Sequence, residues 1–394
     1  MNKEYISNIW KFYLFKILSS LELTVSFFVL FFLANGLSMT QVMTIETIFI
    51  ILVLVLEVPS GALADIFGRK LSINIGEFCA VISFFIFSIG TNFWTFLIAQ
   101  IFLAFTWALM SGADSAFLYD SLKEAGQEKK YSLILGRAGF LNLITWSFSA
   151  LLSGFLAIYF SYRLLFFVTS IIYLFSFFTT LFFKEPPIHK KSSKKNYRVH
   201  LIKAIKFVYT HKKVKNLIIY YGLFAATTHL IWFLIQPFYD QTNLPKYIIG
   251  IAIFIYFISA GIGNLTANYF ERKFNEEIFL FIILFIAVAS IISLYFVSPI
   301  VALLSIFLMS LVSGMRDVFV NKGINENTDS HHRATVISIQ NMSKSIMYGL
   351  VAPLIGYFTD IFSASATFLI LGICLSSLLI YFIIIRTISK KSII

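Results

Sequence analysis

The sequence predicts an all-α membrane protein of about twelve transmembrane helices, arranged as two pseudo-symmetric six-helix bundles. Three observations carry that expectation: an apolar composition, apolar blocks recurring at the length of a bilayer span, and identities repeated at one fixed offset.

Of the 394 residues, 59% are apolar, 18% aromatic and only 13% charged. A soluble domain has about half its residues apolar and about a quarter charged. Lipid is therefore the expected solvent. No small-residue cleavage site follows the first apolar block, which reads as a retained helix rather than a signal peptide. Only Cys79 and Cys374 are present, both in apolar segments, so neither a disulfide framework nor a thiolate metal site is expected. The net charge of +12 sits in loops between apolar blocks. Anionic lipid and insertion topology account for it there, and nucleic-acid binding is not expected.

Crossing the hydrocarbon core takes about 20 mostly apolar residues. Charge clusters, Gly, Pro and Asn divide the first half into spans near 12–34, 41–60, 71–90, 93–119, 138–160 and 163–183. The second half divides near 217–238, 247–270, 277–297, 299–320, 334–357 and 363–386. Basic residues are retained in the cytoplasm during insertion. Alternate loops hold Arg69, Lys70, Lys123, Lys129, Lys130, Arg137, Arg272, Lys273, Lys322 and Arg333, while the opposite set holds only Arg163 and Lys246. That asymmetry predicts a protein of the cell (cytoplasmic) membrane with both termini in the cytoplasm.

Residues 184–216 carry eleven Lys or Arg against the single acid Glu185 and separate the bundle of 1–183 from that of 217–394. Within this linker Leu201, Ile202, Ile205 and Val208 share a helical face ringed by Lys203, Lys206, Lys212 and Lys213. Such a pattern suits a helix lying on an anionic leaflet, and equally a solvated tether.

Phe105, Leu109, Ser111, Gly112 and Phe117 recur as Phe307, Leu311, Ser313, Gly314 and Phe319, each 202 residues later. Gly61 and Leu63 recur as Gly263 and Leu265 at the same 202. Agreement in offset and in topological place points to duplicated halves.

Between the second and third spans lies GALADIFGRK, from Gly61 to Lys70. It resembles the G-x-L-A-D-R-x-G-R-K signature of the major facilitator superfamily, with Ile66 where that family usually has Arg. Gly61 is expected to let two helices close in, Gly68 to permit a tight turn with positive φ, and Arg69 and Lys70 to reach lipid phosphates. The resemblance implies that Asp65 faces the start of span 11 and that Arg69 pairs with an acid ending span 4, here Asp120. Together these would latch the conformation closed to the cytoplasm. The Arg the family places within span 4 is Gln100 here, and its G-P-x-x-G-G pattern in span 5 is reduced to Ser153-Gly154.

Ionisable residues inside a membrane usually face the bundle interior or mark a pathway. In span 1, Lys16, Ser19, Glu22 and Ser26 are expected to share one helical face. A carboxyl held away from water can exchange protons near neutral pH, which makes Glu22 the first proton-coupling candidate. A structural acid paired with a lysine such as Lys344 is the alternative. Asp114 and Arg316, also 202 apart, are candidates for a gate across the halves, although Arg316 could pair with adjacent Asp317 instead. His229, a second proton candidate, shares a face with Trp232, Gln236 and Asp240 in span 7. Span 11 presents Asn341, Lys344 and Tyr348 as further cavity wall. Glu57 is expected to support the loop motif.

No enzyme constellation emerges: His331-His332 lacks further ligands at metal spacing, and no P-loop is present. No cofactor or metal is expected. With no ATP site, a gradient must supply the energy, the proton being the expected coupling ion. The predicted function is alternating-access secondary transport by a monomer, with proton-coupled efflux of a small amphipathic or drug-like compound preferred. Proton-coupled uptake of a sugar, peptide or organic ion is the alternative, as is a non-transporting membrane receptor or immunity protein.

Overall fold

The computed structural model describes residues 3–187, 205–242, 244–329 and 333–391. Among them the regular structure is helical. In chain order the helices are α1 (Lys3–Leu18), α2 (Phe28–Ala34), α3 (Met39–Phe67), α4 (Arg69–Ile89), α5 (Phe93–Met110), α6 (Ala113–Glu124), α7 (Tyr131–Tyr159) and α8 (Tyr162–Leu181). They continue as α9 (Lys212–Asp240), α10 (Tyr247–Glu271), α11 (Glu276–Phe296), α12 (Pro299–Glu326), α13 (Arg333–Ile361) and α14 (Ala364–Lys391).

Nine helical stretches among the described residues are long and apolar enough to cross a membrane, α5 and α6 counting as one. The broken pair α1 and α2, together with α13 and α14, occupy the other three expected spans. Local chemistry sets several starts. Ser38 and Gln41 form a reciprocal capping box on α3, and Asn92 and Thr95 do the same on α5. Ser161 caps α8, and Pro299 opens α12 where its missing N–H costs nothing.

The chain divides into two compact units, Met1–Ser192 with Pro245–Phe254, and Ser193–Leu244 with Ile255–Ile394. The first turns of α10 therefore cluster with the first unit. A Cβ on Gly250 would lie 2.6 Å from the Ala150 carbonyl, so two glycines, Gly154 and Gly250, permit that approach. Of the interfacial helix expected in the linker, Leu201, Ile202 and Lys203 lie outside the described residues, whereas residues 205–210 are helical with Ile205 exposed. Lys212 and Lys213, expected to ring it, instead begin α9.

In the first unit α4 lies between α5 and α8, with α1 packed on α6, α7 and α8. Hydrophobicity does not drive helices together in lipid, so close packing must. Phenylalanines supply it: Phe31 meets Phe166 at 4.4 Å between ring centroids, Phe32 meets Phe96 at 4.7 Å and Phe28 meets Phe87 at 5.6 Å. All six rings are buried. In the second unit α9 packs on α12, α13 and α14, and α11 on α12 and α14.

The repeated glycines do different work in the two units. A Cβ at Gly263 would lie 2.0 Å from the Leu311 carbonyl oxygen, and one at Gly314 would lie 2.0 Å from that of Ala260, so α10 and α12 touch backbone to backbone. At Gly61 and Gly112 a Cβ would meet nothing within 4 Å. The expected close approach at Gly61 is thus corrected: it belongs to the counterpart Gly263. Gly112 instead holds φ at +74°, breaking the helix between α5 and α6 where its counterpart Gly314 continues α12 without interruption.

Candidate functional site

The first span is not one helix. Its hydrogen-bond ladder stops at Leu18 and resumes at Phe28, so Lys16, Ser19, Glu22 and Ser26 do not form the helical stripe expected from their spacing. Non-helical backbone at membrane depth survives only where protein or a cavity satisfies its polar groups. Here α8 does so, joined by Ser149 of α7, while α7 also holds the Ser20 and Ser26 side chains. The Tyr173 hydroxyl donates to the Ser19 carbonyl at 2.9 Å, and the Leu23 N–H donates to Thr169 Oγ1 at 3.2 Å. Asn142 Nδ2 donates to Ser20 Oγ at 2.7 Å, and the Ser26 hydroxyl donates to the Ala150 carbonyl at 2.9 Å. Ser26 is fully buried by that bond. Glu22 Oε1 accepts from Thr24 Oγ1 at 3.1 Å.

A second break, at Ser111-Gly112, separates α5 from α6, and the Ser111 hydroxyl donates to Glu57 Oε1 at 3.2 Å. Glu57 therefore supports this break rather than the loop motif. Both breaks border a cavity of about 500 Å³ whose walls include Lys16, Ser19, Glu77, Trp107, Ser111, Asp114, Asn142, Trp146 and Tyr173. Lys16 Nζ bonds Asp114 Oδ2 at 2.5 Å and lies 5.2 Å from the Phe15 ring. Glu77, on α4, is wholly buried, and neither of its carboxyl oxygens meets a hydrogen-bond donor among the described residues. It was missed in the sequence, although it is the lone acid of its span. Between α5 and α3, Gln100 Nε2 donates to Glu46 Oε1 at 2.9 Å, both side chains being buried.

At the signature loop the Arg69 guanidinium pairs with Asp120 and donates to the Ala116 carbonyl at 2.8 Å. Gly68 holds φ at +104°. Glu185 closes the loop in a way the sequence did not reveal: its carboxylate accepts from the Arg69 N–H at 2.9 Å and the Lys70 N–H at 2.7 Å. An acid thus sits on the positive end of α4. Asp65 is exposed in the last turn of α3.

In the second unit Arg316, 4% exposed, is held by Asp317 at 2.8 Å, donates to Thr228 Oγ1 at 3.2 Å and lies 4.7 Å from the Phe224 ring. The two gate candidates, Asp114 and Arg316, are each partnered inside their own unit, by Lys16 and Asp317. His229 packs 4.9 Å from the Tyr348 ring and is flanked by Trp232 and Phe233. Lys344 lies within electrostatic range of His229 and Arg316. Gln236 and Tyr348 are fully buried, whereas Asn341 is exposed.

Broken helices that expose backbone to a polar cavity recur in secondary transporters. The sequence profile described as Major Facilitator Superfamily matches residues 12–350. The chain belongs to that superfamily. As a superfamily member it is a membrane transporter and not an enzyme. Solved structures of the same fold include the nucleoside transporter NupG, with a TM-score of 0.79 at 15% identity over 97% of this chain and 98% of that one. A bacterial homolog of the human lysosomal transporter Spinster gives 0.75 at 13% identity, over 98% and 96% of the two chains. The D-xylose-proton symporter gives 0.66 at 13%, over 94% and 97%. A search of the curated proteins finds no sequence match.

Proposed function

We propose that this superfamily member is a proton-coupled secondary transporter of a small amphipathic compound. The supporting observation is the 500 Å³ cavity itself, which combines the rings of Trp107, Trp146 and Tyr173 with a neutralised Lys16–Asp114 pair and the buried Glu77. Its volume falls in the range of small-molecule sites, about 300–1,000 Å³. Aromatic walls with few exposed charges suit a hydrophobic body, and the carboxyls suit proton exchange. Efflux is the preferred direction.

Uptake is the second reading, favoured by the polar side of the same cavity, where Ser19, Ser111 and Asn142 offer hydrogen bonds suited to a sugar or nucleoside. Protein reconstituted in vesicles under an imposed pH gradient decides between them. A panel of labelled tetraphenylphosphonium, uridine and xylose should contain one probe that moves with the gradient. Movement opposite to the proton indicates export from the cell, and movement with it indicates uptake. Flux of every probe unaffected by the gradient would falsify the proton-coupled reading.

A further inference from the structure

Lys16 is the cation among the residues lining the cavity, and two carboxyls, Asp114 and Glu77, line it as well. Asp114 holds Lys16 at 2.5 Å. Glu77 lies within its electrostatic range, lines the same cavity and has both oxygens unpartnered, with the Ser176 hydroxyl close by and likewise unpartnered. An ionised carboxylate buried without a hydrogen bond is far costlier than a protonated one. We propose that Glu77 is a proton-binding carboxyl that competes with Asp114 for the Lys16 ammonium. The inference rests on the proton-coupled reading above and assigns the proton to a residue outside the candidates read from the sequence.

With Glu77 protonated, Lys16 stays on Asp114 as observed. On release, the Glu77 O–H bond breaks and the proton passes to water in the cavity. Lys16 keeps its three protons and moves its bond from Asp114 to the new carboxylate. The consequence is mechanical. Lys16 lies in the last turn of α1, next to the non-helical stretch 19–27, and Asp114 lies in the first turn of α6, next to Gly112. Their bond therefore ties the two helix breaks together, and its transfer to α4 unties them.

Among the described residues, Lys16 is the cation whose charge acts on Glu77. From α8 the titratable neighbour is Tyr173, whose hydroxyl is engaged by the Ser19 carbonyl. On α3, Glu46 is bonded to Gln100, Glu57 accepts from Ser111, and Asp65 is exposed. Helix α5 carries no ionisable side chain, and on α6 Asp120 is held by Arg69.

Trp107 and Trp146 line the cavity and report on it. The full chain, with Trp10, Trp94 and Trp232 replaced by Phe, is placed in lipid nanodiscs, and its tryptophan fluorescence is followed from acid to alkaline pH. The background should respond. Glu77→Gln should hold the acid signal at every pH, and Asp114→Asn should hold the alkaline signal, because Lys16 then has Glu77 alone. Lys16→Met should lose the response altogether. In infrared difference spectra the carbonyl band of a protonated carboxyl should titrate in the background and in Glu22→Gln, and vanish in Glu77→Gln. A full response in Glu77→Gln, the same end state in Glu77→Gln and Asp114→Asn, or no response in the background overturns the proposal. Neither readout needs a cargo. Gradient-driven flux alongside an unchanged Glu77→Gln response sinks this assignment alone, and opposite locking without such flux supports the Glu77 site and sinks the transport reading.

Discussion

Glu185 shows how much one side chain can do at a loop. Its two oxygens satisfy the first N–H groups of α4, which no helix can satisfy for itself, and they fill the space a Cβ on Gly68 would need, 3.0 Å away. Replacing it by Ala should lower stability by about 0.5–2 kcal/mol, the usual worth of a lost cap, while Glu185→Gln keeps one acceptor and part of that stability. Thermal unfolding in detergent measures both. Gln100 and Glu46 form a second local unit: Gln100→Leu leaves a buried acid without its donor, at about 1–3 kcal/mol, and adding Glu46→Gln should recover part of the loss. Of these roles the sequence disclosed little. Glu185 reads there as the single acid in a basic linker and Gln100 as a departure from a family pattern, because neither residue's partner is near it in the chain.

Helices were legible where they are long and uniformly apolar, and illegible where they stop. Span 1 reads as one apolar block, yet its ladder breaks over 19–27, where Thr169, Tyr173 and Ser149, on two other helices, offer its backbone alternative partners. Ser111-Gly112 and Ser313-Gly314 are identical in sequence, but one pair breaks a helix and the other does not. The difference lies in what stands opposite. Gly314 is pressed against the Ala260 carbonyl, so Gly314→Ala and Gly263→Ala should each destabilise by about 1–3 kcal/mol through overpacking. Gly61→Ala, with open space around it, should be close to neutral. A chemical-denaturation series comparing the three variants tests whether the repeat is structural in one unit only. Similar losses at Gly61 and Gly263 would contradict the reading.

At the scale of the whole molecule, the signature loop carries the Arg69–Asp120 ion pair, and a cavity lies inside the first unit. If Arg69–Asp120 serves the transport cycle rather than the fold alone, Asp120→Asn should slow gradient-driven flux in vesicles by about tenfold, while the charge-exchanged pair Arg69→Asp with Asp120→Arg recovers part of it, an effect of about 1.4 kcal/mol. Flux rates on protein matched for folding by size-exclusion profile give the answer. What the sequence by itself determined was the solvent, the order and length of the spans, and the superfamily, because each follows from composition or from residues adjacent in the chain. Only the tertiary structure decided where the helices break, which carboxyl is left without a partner and which acid holds Arg69's helix end. Those outcomes depend on pairings between residues as far apart as Leu23 and Thr169 or Lys70 and Glu185, and hydropathy, a property summed along the chain, carries no information about which side chains meet across it.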